Sequence, residues 1–587
     1  MEGSKVTGFH GKLLRIDLNS QSFREEIIPL KILQRYLGGK GLGSYLLLNN
    51  VPAGIDPLSP DNKLVFVVGP ATGTRLPGAS RYGLYSKSPL TGGYGESYAG
   101  GKVAPKIKAT GYDAIIVEGR AKEPVFLEVS DQVIKFHSAR DLWGKDTYTA
   151  EDAVLERADG KDAQAVVIGP AGENLVRLAC VENNYWRSAG RGGLGAVLGS
   201  KNVKAVVFHG QTPSPVRDET MLKRFISGLL AASKDLPIVK SFRKYGTPQT
   251  VALLNTAQAF PTRYWSQGVF DGWEKISGEA FITNNNFDVR PRSCPNCILA
   301  CGKLTTIKSG PRAGLKIEGP EYETIYAFGG LCCINNLEEI IYLNDLCDRL
   351  GLDTISAGNL VALSMEARET GLEPGFPAYG NTAGAARLLE EMACRKGLGA
   401  ILADGIIQAA KTLNLVDIAI HVKGLEPPGY DPRVLKGMAL GYVTSARGAC
   451  HLRATFYKPE LAGIIPPSAT EGKAGLYIDY EDRLTIFNTL INCVFYRDML
   501  QWGELPILIK ALTGWNYSIE ELRSMANEII TMTRLFNLRE GFNRESDTLP
   551  SRLHNQPLPE SGASISKDEL AYMLKEYYAI RGWDKTI

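Results

Sequence analysis

The stretch RSCPNCILACGK, residues 292–303, carries three of the chain's ten cysteines, with two and then three residues between successive thiols. Thiolates at a two-residue spacing can grip one metal centre, because the backbone between them turns back around it. A zinc knuckle would usually bring a second pair close by, yet the next cysteine is Cys332. Three clustered thiolates and one remote thiolate suit a 4Fe-4S cube, whose iron corners are spread in space. Spacing alone leaves zinc and uninvolved core thiols open. It leaves the fourth ligand open too, among 332, 333, 347, 394, 450 and 493. A disulfide scaffold is the poorer reading, since ten cysteines are sparse in 587 residues and a chain of that length needs no staples.

Outward from this cluster the chain is too long for one core, and its length predicts about three or four domains. Residues 1–210 hold short strand-like runs (KLLRIDL, KLVFVVG, RYGLYSKS, DAIIVEG, PVFLEVS, AQAVVIG, KAVVFHG) between Gly, Pro and Asn turns. Past GQTPSPVRDE the texture changes to longer helix-period segments such as LEEIIYLNDLCDRLG. A further boundary is placed near 418, before IAIHVKGLEPPGYDPR, which divides the helical part into 211–417 and 418–587. The fold class predicted is α+β and multidomain: a β-sheet domain followed by two mainly helical ones. With 66 basic and 63 acidic residues, the net charge of +3 gives no general attraction to nucleic acid or anionic membrane. Neither a leader-type apolar segment nor a run long enough to span a bilayer is read, so the expected location is cytoplasmic.

The 62 glycines exceed the usual share of about 7 % and crowd the first 210 residues. GRGGLG at 190–195 fits the G-x-G-x-x-G pattern, but it follows no clear strand and leads toward KAVVFHG, so a dinucleotide fold is not expected. Glycine recurs instead beside cations and hydroxyls, in GGKGLG, in GASRYGLYSKSPLTGGYGESYAGGK and in RSAGRGGLG. Amides freed by glycine, with Arg81, Lys102, Arg187 and Arg191 near, would seat a phosphate-bearing ligand. Tight turns in a β-domain with solvated arginines account equally for the pattern. Two hexads share a layout: DRLGLD at 348–353 and NTLINC at 488–493. A carboxylate or amide held there at a helix end could exchange paired hydrogen bonds with a heterocycle.

Taken together, GGKGLG, SKSPLTGGYGESYAGG, RSAGRGGLG, CPNCILAC, EGPEYET, DRLGLDTISAG, GLEPPGYDPR and ARGACHLR resemble the tungsten-containing aldehyde:ferredoxin oxidoreductase family across nearly the whole chain. The resemblance implies an N-terminal β-domain that is the base for a tungsten bis-pyranopterin, with molybdenum the chemical alternative, under two helical domains. It implies a 4Fe-4S cluster on Cys294, Cys297, Cys301 and Cys493. Pterin and phosphate contacts would come from Arg81, Gly100, Arg187, Gly190 and Arg191, and magnesium joining the pterin phosphates would take carbonyls of Tyr98 and Ser188. Asp348, Leu352 and Asp353 match the first pterin hexad, Asn488 and Cys493 the second, and Arg453 a basic pterin contact.

The chemistry implied is oxidation of an aldehyde with water to a carboxylic acid, with Glu323 and His451 beside the metal and electrons leaving to ferredoxin or a polyferredoxin-like subunit. Taken alone, His451 would pass for a structural histidine and Glu323 for a helix-start acid, with Glu321 its rival. Where the family has an aspartate, Asn488 stands. The E-x-x-H pair that bridges subunits through a metal is missing near 339–345, so a homodimer would lack that metal. Cys332 and Cys333 follow Glu323 closely enough to approach tungsten, although inert packing is the simpler role. Two alternatives stay open: the tungsten subunit of a benzoyl-coenzyme A reductase-type complex, and a non-catalytic metal-binding electron-transfer or assembly subunit.

Overall fold

Runs of Val, Ile and aromatic residues broken by Gly, Pro and Asn fold into twelve strands ahead of residue 210 among residues 6–584, which the computed structural model describes. The strands are β1 (Lys12–Asp17), β2 (Ser22–Ile27), β3 (Leu64–Val67), β4 (Tyr82–Lys87), β5 (Tyr94–Ala99), β6 (Ala114–Glu118), β7 (Val125–Val129), β8 (Ile134–Ser138), β9 (Gln164–Val167), β10 (Val181–Asn183), β11 (Arg187–Ala189) and β12 (Val203–Phe208). They form two six-stranded sheets, ordered β2-β1-β6-β3-β4-β5 and β11-β10-β9-β12-β7-β8. Only β1/β6 and β7/β12 run parallel in these sheets, and the β7/β12 register slips by a bulge between Val203 and Ala205.

The sheets share one core. Leu14, Phe66 and Leu84 of the first and Leu127, Val206 and Phe208 of the second belong to it, and the rings of Phe66 and Phe208 meet edge to face at 5.6 Å. Alternate residues of β12, Ala205 and Val207, point the other way into a smaller core with Val154 of the helix Thr147–Arg157. Burial on both faces explains why KAVVF reads as an unbroken apolar run. The short helix Leu194–Ser200 separates the GRGGLG glycines from β12, where the sequence reading passed directly to a strand.

The rest is mainly helical, apart from the antiparallel β13 (Phe287–Arg292), β14 (Gly302–Ile307) and β15 (Lys316–Glu318). Arg292 pairs with Gly302, so residues 293–301 form the loop of a hairpin and the three clustered cysteines sit on its tip.

Both hexads lie where a helix ends on a sheet. The helix Leu337–Leu350 stops at Gly351 in the left-handed region (φ 75°) and resumes as Thr354–Glu369, capped by Asp353. The helix Lys473–Leu490 stops at left-handed Ile491 (φ 57°), and Cys493 opens the single turn Val494–Tyr496. Each stop is seated on a glycine just past a strand. A Cβ on Gly169 would stand 2.3 Å from the Leu350 carbonyl, and one on Gly69 2.3 Å from that of Leu490. Backbone bonds complete the seats, Cys180 N to Gly351 O at 2.9 Å and Cys493 N to Gly78 O at 3.0 Å.

Candidate active site

Between the paired sheets and the helical layer lie two adjoining cavities of about 340 and 370 Å³, which share Arg81, Gly100, Arg187, Ser188, Cys301, Glu323 and His451 in their walls. Cys294, Cys297, Cys301 and Cys493 all face the second, and none is in a disulfide. The hairpin loop is pinned by its surroundings: Gly101 N donates to Cys294 Sγ at 3.3 Å, and the Tyr496 hydroxyl lies 3.3 Å from Cys297 Sγ while accepting from Ile298 N at 3.1 Å. Among the described residues, no three His, Cys, Asp or Glu side chains converge on a point as they would around a single ion. The four thiols enclose a cavity instead. Gly100 has a reason to be glycine here, since a Cβ would come within 3.1 Å of Cys294 Sγ.

The first cavity collects Arg81, Tyr98, Gly100, Arg187, Ser188, Gly190, Arg191, Asp348, Leu352 and Asp353. Arg191 lies 3.1 Å from Asp353 and donates to the Glu426 carbonyl at 2.7 Å. Arg187 is paired with Glu318, and Ser188 Oγ donates to Glu182 at 2.6 Å. Asn344 donates to Asp348 at 2.7 Å. Asp353 accepts from Ile355 N and Ser356 N, so its carboxylate both caps a helix and faces Arg191. Burial raises the carboxyls of Asp348 and, to about 7, Glu182 and Glu426. Neutral carboxyls of this kind can donate as well as accept; Asp348 alone of the three lines the cavity, with Glu182 and Glu426 behind its wall through Ser188 and Arg191.

Glu323 and His451 stand on the wall common to both cavities. Glu323 Oε2 accepts from Gly429 N at 3.0 Å, whereas Oε1 is buried with no hydrogen-bond partner and lies 3.6 Å from His451 Nε2. Burial pushes the Glu323 carboxyl up to about 8, against the Gly429 N–H and Arg191, which pull it down. Burial, then the cations Arg447, Arg191, Arg453 and Arg497, hold His451 neutral. Tyr430 stacks on the imidazole at 5.5 Å and on Tyr457 at 4.1 Å, giving this end of the second cavity an aromatic wall.

Three residues named from the sequence do not reach these walls, and one of them, Lys102, is exposed and takes no part in a phosphate seat there. Arg453 is paired with Glu96 and lies over the Tyr98 ring, at 5.7 Å from its centre. Asn488 is buried in its helix, with its carbonyl against Gly39. Cys332 and Cys333 are also absent from the walls; Cys332 is packed against the carbonyls of Ala327 and Gly358.

Sequence reasoning passed over Arg447 and weighed Cys450 only as a possible fourth cluster ligand; both are in the first cavity's wall. Arg447 donates to Cys450 Sγ at 2.9 Å and to the Glu96 carbonyl at 2.9 Å. Although burial raises the Cys450 thiol, Arg447 and Arg453 bring it down to about 7. The signal was the density of ARGACHLR, where one histidine drew the attention.

Three residues of the first cavity's wall carry a buried atom without a hydrogen-bond partner: Arg447 Nε, Glu323 Oε1 and Trp186 Nε1. Such orphans are costly unless a polar group fills the space. A ring of thiols opening into a chamber of arginines and raised carboxyls defines a cofactor-dependent redox protein.

Comparison with known proteins narrows that class. The family description "Aldehyde ferredoxin oxidoreductase, N-terminal domain" matches residues 13–210, and "domains 2 & 3" of the same family matches 226–586. The chain belongs to the aldehyde ferredoxin oxidoreductase family and is an oxidoreductase. It is 37 % identical to a tungsten-containing aldehyde ferredoxin oxidoreductase of Pyrococcus abyssi, over 98 % of this chain and 96 % of that protein. It is 29 % identical to the WOR-like subunit of an aliphatic sulfonate oxidoreductase of Pyrococcus furiosus, over 98 % and 95 %. In fold it resembles a chain of the BamBC active-site complex of benzoyl coenzyme A reductase solved with 1,5-dienoyl-CoA, at a TM-score of 0.83 and 23 % identity over 99 % and 95 %. Family membership implies a tungstopterin and an iron–sulfur cluster, and the orphaned polar atoms and the thiol ring fit both. No helix among the described residues is long and apolar enough to cross a membrane.

Proposed function

We propose that the protein oxidises an aldehyde with water to a carboxylic acid and passes the two electrons singly to a ferredoxin-type acceptor. The pterin-bound tungsten, when present, supplies a Lewis acid and a two-electron acceptor. Arg81, Arg187, Arg191, Asp348 and Asp353 would hold the pterins, the carbonyls of Tyr98 and Ser188 a magnesium between their phosphates, and the four thiols a 4Fe-4S cluster.

The observation that carries the reading is Glu323 Oε1: buried, unpartnered, 3.6 Å from His451, and on the wall between the pterin-side and thiol-side cavities. Neutral His451 donates from Nε2 to the substrate oxygen, and ionised Glu323 takes the proton of the attacking water. Because both groups favour their neutral forms, the pair does not lock into an ion pair that would close the gap. Tyr430 and Tyr457 exclude water on the side where the organic group of the aldehyde lies.

The test is anaerobic purification with metal and pterin analysis, followed by benzyl viologen reduction by a panel of aldehydes. Four irons and one tungsten per chain with aldehyde-dependent reduction are expected. Zinc in place of iron, or no reduction by any aldehyde from protein carrying its metals, would defeat the reading.

A further inference from the structure

The thiol hairpin has an outer side that the chemistry above does not use. Ser293 and Asn296 at its tip are exposed, and Cys294 and Cys297 are only half-buried. Two separate segments meet it there and a third meets the hairpin at its base, and each leads to an exposed cation. Asn296 Nδ2 donates to the Thr74 carbonyl at 3.5 Å, and Arg75 follows. Gly101 N donates to Cys294 Sγ, and Lys102 follows. Phe242 lines the thiol cavity, its carbonyl accepts from Lys303 at 2.9 Å, and exposed Arg243 and Lys244 follow.

No acid answers Arg75, Lys102 or Arg243 among the described residues. Of the acids beside Arg187 and Cys301, Glu318 is taken by Arg187 and Arg292 and Glu321 accepts from the Thr247 hydroxyl, while Lys244 donates to the Tyr245 hydroxyl at 2.5 Å. A net charge of only +3 over the whole chain means that this concentration is local. Unpaired cations around the exposed edge of an electron-transfer site steer a negatively charged partner and fix its orientation more than they add affinity.

We infer that Arg75, Lys102, Arg243 and Lys244 form the docking rim for a small acidic iron–sulfur electron carrier, seated over the hairpin tip 293–297. This names the partner face for the activity proposed above and rests on that reading. The contact is of the small, salt-sensitive kind typical of transient redox pairs.

Binding of a purified acidic 2[4Fe-4S] ferredoxin to the anaerobically purified full chain tests it by calorimetry, at about 30 and about 300 mM salt. Two double charge reversals, Arg75→Glu with Lys102→Glu and Arg243→Glu with Lys244→Glu, are compared with the wild type, with iron content confirming intact protein. At low salt each pair should weaken binding at least tenfold, and high salt should erase most of that difference. Wild-type protein that does not bind at low salt, or variants within twofold of it, would overturn the docking rim. Benzyl viologen reduction needs no docking face, so it should be unchanged in the variants. Its absence in the wild type would count against aldehyde oxidation and not against the rim.

Discussion

The two helix ends that carry the hexads solve one problem with different chemistry. Both helices stop in the left-handed region, and both present a terminal carbonyl to a glycine that follows a strand: Leu350 to Gly169, Leu490 to Gly69. The glycines lie in similar strings, VVGPATG at 67–73 and VIGPAGE at 167–173, one after β3 and one after β9. The sixth residue then diverges. Asp353 caps a sixteen-residue helix and faces Arg191, whereas Cys493 opens a single turn and faces three other thiols. A repeated backbone seat therefore fixes position, and in the proposed function one side chain at its end would decide whether the half serves pterin or iron.

Removing the divergent residue breaks the comparison most severely. Cys493→Ser should lose cluster iron as fully as Cys294→Ser, while Asp353→Asn keeps it; iron analysis on the three proteins decides, and full iron in Cys493→Ser would move the fourth ligand elsewhere. Glu323 belongs to neither half, so Glu323→Gln should leave iron and pterin contents intact and lower kcat by roughly 100- to 10,000-fold. In the wild type kcat should rise with pH as this carboxyl ionises through about 8, beside His451, Arg191, Asp353 and Cys450. The Gln variant should show no such rise in the same pH–rate profile.

The seats themselves come next. Gly69→Ala and Gly169→Ala each place a methyl against a backbone carbonyl and should each cost roughly 1–3 kcal/mol, read as a lower apparent unfolding temperature in thermal scans. Equal losses would show that the halves bear load alike. Asn488→Asp should matter least, because its side chain does not line either cavity: kcat should change by less than about threefold.

Strand-rich and helix-rich parts were legible because an unbroken apolar run such as KAVVF and a 3.6-residue apolar period such as that of LEEIIYLNDL survive in single segments. The repeated Gly-Pro-Ala seat escaped notice because its two copies are 100 residues apart and short. Arg453 and Asn488 show the limit of motif position. Asn488, on the last turn of its helix, is buried away from the cavity that Cys493 faces, and no spacing rule reveals which carboxylate, such as Glu96, will draw an arginine aside. Glu323 was named by its motif, but its raised carboxyl arises from burial in a wall assembled from separate parts of the chain, with the charges of Asp353 and Cys450 adding to it.

The Tyr496 hydroxyl that touches Cys297 Sγ has an electrical consequence. Because it already accepts from Ile298 N, its own proton is free to point at the sulfur. A hydrogen bond to a ligand sulfur favours the more negative, reduced form of a cluster and so raises its reduction potential. If Cys297 holds the proposed cluster, one phenol would thereby adjust the voltage step of each electron's exit, with no part in either the Glu323 or the His451 chemistry.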